Sequence, residues 1–291
     1  RQMCIRDRHT IVIPSSDYDN KMQVLLSGGT NIDIMDVRNI SSLSSYVKGQ
    51  AIANMSELIQ RDKYDISPYG TLYEKYAIDN VYYGLPVRGS CWLLYYNKDL
   101  FDKEKVEYPK QMTWENFETL AKQLTHGDGT GKQYGAYLTT WVYNQMAIQK
   151  GVSLLDDNPA PALKYSLEVF NKMFNVDKSA MGVAEQKAVN ADAYAEFESG
   201  KFAMMINGDW SFSLLDADIK DGKTKINYDV APLPVPDGVE DGTSHCNYSF
   251  VSIAANSKHK EEGWKYAKFL CGEEGCLLYT SPSPRDQRGS R

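Results

Sequence analysis

The residues of this 291-residue chain best placed to do chemistry are aromatic and short polar side chains beside apolar runs. Asn207, Asp209 and Trp210 follow the strand-length run Phe202–Ile206 within GKFAMMINGDW. Asn207-Gly208-Asp209 reads as turn chemistry, so the run stops abruptly and delivers an indole to the loop behind it. Loops at strand ends are where α/β folds place ligand contacts. A core aromatic that merely caps a strand is the other reading of Trp210. Asp36 and Arg38 follow an early apolar run, Arg88 and Ser90 lie inside the run that begins at Leu85, and Trp141 and Tyr143 stand two apart in LTTWVYNQ. Planar rings mixed with short polar groups suit a sugar, whose C–H faces stack on rings while its hydroxyls demand hydrogen bonds. A stacking contact is worth about 0.5–1.5 kcal/mol beyond area burial, and a charge-assisted hydrogen bond about 1.5–3 kcal/mol. Arg38 and Arg88 set against Asp36 and Asp209 favour a neutral, hydroxyl-rich ligand over an anion or a polyamine.

Other chemistries find less support. Gly127–Lys132 (GDGTGK) has the flavour of a phosphate loop but is one residue short, lacks a Ser or Thr after Lys132, and follows a helical pattern instead of a strand. It reads as a turn. His9, His126, His245 and His259 share no ligand spacing, so no metal site and no cofactor are expected. No G-x-S-x-G elbow occurs and no cysteine sits in a nucleophile context. Carboxylates are numerous enough that a glycosidase pair stays open by counting alone. The formal net charge of −6 argues against nucleic acid as a partner.

The ends of the chain need separate treatment. Arg1–Arg8 (RQMCIRDR) and Cys276–Asp286 (CLLYTSPSPRD) back-translate into a transposase-type sequencing adapter, in opposite orientations, and Gln287–Arg291 follow on. Segments 1–8 and 276–291 are therefore expected to be non-native, leaving His9–Gly275 as a reading frame cut at both ends. Setting aside their six Arg and two Asp makes the interior more acidic still, about −10. Three of the five cysteines remain, Cys91, Cys246 and Cys271, and they read as small buried residues.

Elements must hold the candidate residues in place. Thr10–Ile13 is predicted as a short strand closed by Pro14, and Asp17 as the cap of a helix carrying Met22, Leu25 and Leu26 that ends at Gly28-Gly29. With a strand over Asn31–Val37 this is a βαβ unit, which implies a parallel sheet. Leu85–Asn97 is an apolar, aromatic strand. Thr113 caps a helix whose apolar face is Trp114, Phe117, Leu120, Ala121 and Leu124. Pro161 opens another helix, and a last one follows Ser257 with Trp264, Ala267, Leu270 and Cys271. Pro232–Thr243 reads as a long surface loop.

On these residues a resemblance stands out. GLPVRGSCWLLYYNKDLFDKEKVEYPKQMTWENFETLAKQL and FESGKFAMMINGDW resemble, in order, two blocks of the extracellular solute-binding proteins of carbohydrate ABC importers, the maltodextrin and multiple-sugar type. Ser249–Leu270 resembles the family's returning strand and Trp-containing helix. The resemblance implies a type II periplasmic-binding-protein-like fold, α/β, with two lobes of mostly parallel sheet flanked by helices and a hinge of crossing strands. It places 9–92 with 250–275 in the first lobe, 93–97 and 246–249 in the hinge, and 98–245 in the second lobe. Its ligand is a sugar or oligosaccharide held between the lobes, and its partner is a membrane permease. The protein it implies is a monomer, extracytoplasmic as a lipoprotein or in the periplasm, and transforms nothing chemically. Trp210 matches the family's stacking tryptophan. Ser90 falls four after Pro86, where maltodextrin binders place a Glu, and Asn247 and Tyr248 lie where many relatives have glycines, Tyr248 either lining the pocket or packed. The same fold with a non-sugar solute, and a carbohydrate-active enzyme, remain as alternatives.

Overall fold

The computed structural model describes residues 9–14, 17–153, 156–188 and 193–275; the adapter-like ends lie outside them. Along the chain run α1 (Tyr18–Ser27), β1 (Ile34–Val37), α2 (Ile40–Lys48), α3 (Ser56–Arg61), α4 (Gly70–Glu74) and β2 (Leu85–Asn97). Then come α5 (Lys98–Glu104), α6 (Trp114–Gln123), β3 (Tyr134–Leu138), α7 (Gln145–Gln149), α8 (Ala160–Asn171), α9 (Val183–Ala188) and α10 (Ala193–Glu198). β4 (Phe202–Gly208), α11 (Ser211–Lys220), β5 (Tyr228–Ala231), β6 (Cys246–Ile253) and α12 (Lys260–Cys271) complete the order. Backbone contacts divide the chain into two compact units, 1–89 with 247–291, and 90–246. The chain passes from one to the other within β2 and again within β6.

In the first unit β1 pairs antiparallel with β6, Asp36 opposite Val251 and Val37 opposite Phe250. Thr10–Ile13 forms no strand, so the expected βαβ start is corrected: β1 takes its ladder from the far end of the sequence instead. The α1 helix has the predicted extent, but Asp17 makes no side-chain cap there. One cluster buries Met22, Met35, Val37, Leu43 and Tyr73 with Phe250; a second buries Met55, Leu85, Val251 and Ile253 with Trp264.

The second unit is built on β2 and β4, which run antiparallel with Trp92 opposite Gly208 and Leu93 opposite Asn207. β5 pairs antiparallel with the end of β2, and β3 parallel with β4. Every residue of β4 is buried because both of its faces are covered. Met204 and Ile206 belong to a cluster with Trp92, Leu94, Trp114 and Phe117, and Phe202 and Met205 to another with Tyr95, Phe197 and Leu215. Such doubly covered strands read as unbroken apolar runs. The Asn207-Gly208 turn is corrected in turn, since both residues stay in the ladder and β4 ends at Gly208. The predicted Thr113 cap is present, its hydroxyl accepting the Asn116 N–H at 3.2 Å.

Asp62, just past α3, ties α12 to α3 within the first unit. Its Oδ2 accepts the Trp264 indole N–H at 2.8 Å and Lys268 Nζ at 2.6 Å, while Oδ1 takes Arg61 Nε at 2.9 Å. Hydrogen bonds from Arg61, then Lys268 and Trp264, hold its carboxyl well below the usual carboxylate range. The stability this adds is present above the unfolded carboxylate pKa and is lost as pH falls through the folded value. Asp62→Ala, which also leaves a buried indole N–H unpaired, is expected to lower Tm at pH 7 by roughly 2–4 °C. The gap to the wild type should narrow as the melts are taken below pH 4, leaving the part due to the unpaired indole; a gap independent of pH would refute the assignment.

Candidate functional site

The second unit gathers indoles at the end of β4. Trp92, fully buried on β2, is met edge-on by Trp141 at 5.3 Å and by Trp210 at 5.1 Å between ring centroids. Trp141 and Trp210 lie near-parallel to one another, 20° apart at 6.3 Å. Trp141 is 60% exposed and Trp210 half-buried, so the cluster rests on a buried anchor and turns ring surface outward. Trp210 lies over Gly208, where an added Cβ would come within 2.0 Å of its Cζ3. Its N–H donates to the Tyr194 hydroxyl at 2.9 Å, which fixes the ring's rotation. His245 stacks on Trp92 at 4.5 Å and 11°. Burial pushes its pKa down, keeping the imidazole neutral at pH 7.

Three buried polar atoms in this cluster have no protein partner among the described residues: Trp92 Nε1, His245 Nδ1 and Asp209 Oδ1. Native proteins leave few such atoms, and each calls for an ordered water, an ion or a functional role to account for it. Asp209 holds its place through its N–H, which donates to the Cys91 carbonyl at 2.9 Å. Asn207 is buried, with its amide directed to Tyr194 at 3.4 Å and its carbonyl to the Gly208 N–H. Ser90 is buried at the start of this unit, and Tyr143 is exposed beyond the turn that carries Trp141, in no ring contact with the indoles.

The first unit collects the charged candidates. Asp36 is exposed on β1, yet desolvation by its surroundings raises its pKa against the pull of Arg88 and then Arg38. Its carbonyl accepts the Tyr18 hydroxyl at 2.6 Å, and the Arg38 guanidinium lies 5.8 Å from the Tyr18 ring centre and 3.9 Å from Asp19. Asn247 and Ser249 both donate to the Arg38 carbonyl, at 3.1 and 3.2 Å. Tyr248 packs between Tyr76 and Phe250, its hydroxyl donating to the Tyr69 carbonyl at 3.2 Å. Sequence reasoning missed Trp92, Tyr194, His245 and Gly208. Only Gly208 carried a signal, a glycine two residues before a tryptophan at a strand end.

Among the described residues no group of three His, Cys, Asp or Glu is placed to hold a metal, and no helix is long and apolar enough to cross a membrane. Two α/β units make up the two-lobed periplasmic-binding-protein-like fold that the sequence implied, with one correction: the described ladders are mostly antiparallel, only β3 and β4 running parallel, because β2 and β6 pass between the units and pair with returning strands. Residues 9–275 match the model of the bacterial extracellular solute-binding proteins, and the chain belongs to that family. A sugar transporter from Rhizobium etli, solved in an open conformation, is 34% identical and superposes with a TM-score of 0.75 over 93% of this chain and 70% of that one. A Brucella abortus binding protein is 27% identical over 92% of this chain and 65% of its own length. The arabinooligosaccharide-binding protein of Bacillus subtilis is 24% identical over 91% of this chain and 62% of its own. The chain thus spans just under two thirds of the length of these curated relatives.

The contact between Gly208 and Trp210 is open to a direct test. Gly208→Ala is expected to drive the indole off the strand end and to cost about 1–3 kcal/mol as overpacking. Near-UV circular dichroism should lose the band of the coupled indoles while the far-UV spectrum persists. An unchanged near-UV spectrum would show that Trp210 does not lie there.

Proposed function

We propose that this chain is the substrate-binding component of a carbohydrate ABC importer, which captures a sugar or oligosaccharide and hands it unchanged to a membrane permease. The observation that carries this reading is the pair of near-parallel, outward-turned indoles, Trp141 and Trp210, held on buried Trp92 beside unpartnered polar atoms. Indole faces bind the C–H surface of a pyranose or furanose ring, and polar atoms near their edges answer its hydroxyls. The names of relatives point the same way, since one binds arabinooligosaccharides and another is a sugar transporter.

In this proposal Trp210 is the principal platform and Trp141 the second, while Asp209, Ser90 and Tyr143 orient hydroxyls. Asn207 acts by bracing Tyr194, and Tyr194 by fixing Trp210. In the first unit, Asp36, Arg38 and Arg88 are able to give charge-assisted hydrogen bonds. Tyr248 is its packed neighbour. The protein works as a monomer outside the cytoplasm, held by a lipid anchor or free in the periplasm, and uses neither metal nor cofactor.

A glycan-panel thermal shift tests the function. A neutral oligosaccharide is expected to raise Tm in a concentration-dependent way, and hydrolysed products in the same incubations would overturn the transport reading. Calorimetry with the responding glycan tests the site. Trp210→Ala is expected to weaken binding at least tenfold, about 1.4 kcal/mol, from lost stacking and buried area. Unchanged affinity would move the site elsewhere.

A further inference from the structure

Two cysteines face one another across the strands that carry the chain between its units. β2 and β6 are neighbours in the sheet order. The Trp92 N–H donates to the His245 carbonyl at 3.2 Å, which sets their register. Three residues back along β2 and three forward along β6 stand Gly89 and Tyr248, and a Cβ on Gly89 would touch Tyr248 Cε1 at 2.7 Å. The two contacts agree on one antiparallel register, and in that register Cys91 stands opposite Cys246. Because the adjoining Trp92 and His245 pair is hydrogen-bonded, the cysteine pair is of the non-hydrogen-bonded kind. Such pairs have Cα atoms about 4.5 Å apart and side chains on the same face, within the span of about 4.4–6.8 Å that a disulfide requires.

We infer that Cys91 and Cys246 form a reversible disulfide that staples β2 to β6. Both are free thiols in this structure. Cys246 is exposed, against the expectation that all three interior cysteines are buried, and Cys91 is half-buried. Accessibility therefore makes Cys246 the entry thiol. With a small disulfide of the glutathione class as oxidant, the Cys246 thiolate attacks one sulfur and expels a thiolate, giving a mixed disulfide. The Cys91 thiolate then attacks the Cys246 sulfur, forming the intramolecular S–S bond and expelling the second thiolate. The two cysteine protons end on the two released thiols, and the two electrons on the small disulfide. Desolvation and the Asp209 carboxylate push both thiols up, so the exchange is slow at neutral pH but has a pair of groups in place to complete it. Oxidising compartments are where such bonds persist, and the family is extracellular.

Cys271 is an internal control. Burial pushes its thiol up to about 12, and its Sγ faces the Leu85 carbonyl at 3.6 Å. The full chain equilibrated with a glutathione redox buffer, trapped by alkylation and digested without reduction, is expected to yield a peptide joining Cys91 to Cys246 within one chain while Cys271 is alkylated. The joined peptide should disappear on addition of reductant and be absent from Cys91→Ser and Cys246→Ser. Alkylation of both Cys91 and Cys246 under oxidising buffer would overturn the inference. So would pairing of either with Cys4, Cys271 or Cys276, or a link formed only between two chains. Cys246→Ser changes an exposed side chain, so its fold is expected to match the wild type by far-UV circular dichroism, and the absence of the peptide there reports on the bond itself.

Discussion

A missing Cβ at Gly208 is the constraint on which the aromatic cluster depends. β4 is buried along its whole length, so the residue ending it has a covered neighbour on each side. Any side chain there would occupy the volume of the Trp210 six-membered ring. With hydrogen in its place the indole folds back over the strand end, meets Trp92 edge-on and reaches Tyr194 with its N–H. Trp92 in turn fixes Trp141 and His245. Four rings from four separate segments are thus located by a single close approach of side chain to backbone.

The buried anchor matters as much as the rings turned outward. An exposed tryptophan on a loop would lose rotamer freedom when a ligand settled on it, and that cost would come out of the binding energy. Here Trp210 already spends its indole N–H on Tyr194 and its edge on Trp92. Little ordering remains to be done. The first unit follows a different logic, with Asp36 in the electrostatic field of Arg88 and Arg38, and the Arg38 carbonyl held by Asn247 and Ser249. There polar groups are positioned by backbone contacts rather than by packing.

Much of this was legible in the residues themselves. The apolar run of Leu85–Asn97 is β2 to the residue, Thr113 caps its helix, and the block order implied the family in which the chain stands. Local pattern failed where partners are remote. Thr10–Ile13 has strand composition, but composition cannot supply a neighbouring ladder, and β1 finds its own more than two hundred residues later. Asn207-Gly208 has turn composition, yet pairing with Leu93 and Trp92 keeps both in the sheet. Trp92 lies unremarked inside the apolar run that became β2, and its place in the aromatic cluster comes from edge contacts that only the fold brings together. His245 gave no signal because a lone histidine in a polar loop has no period or spacing to read.

The alternation along β2 has a further consequence for how this protein can change over time. Trp92 and Leu94 belong to one face, Leu93 and Tyr95 to the other, and Cys91 falls with the latter. A strand's period of two means that inserting or deleting one residue anywhere in this segment exchanges the faces. Indole would then take the place of thiol, and the stacking partner of His245 would vanish at once. Substitution leaves that frame in place, while a single-residue length change in β2 loses the arrangement unless a bulge absorbs it. Variation in length is left to the connecting loops.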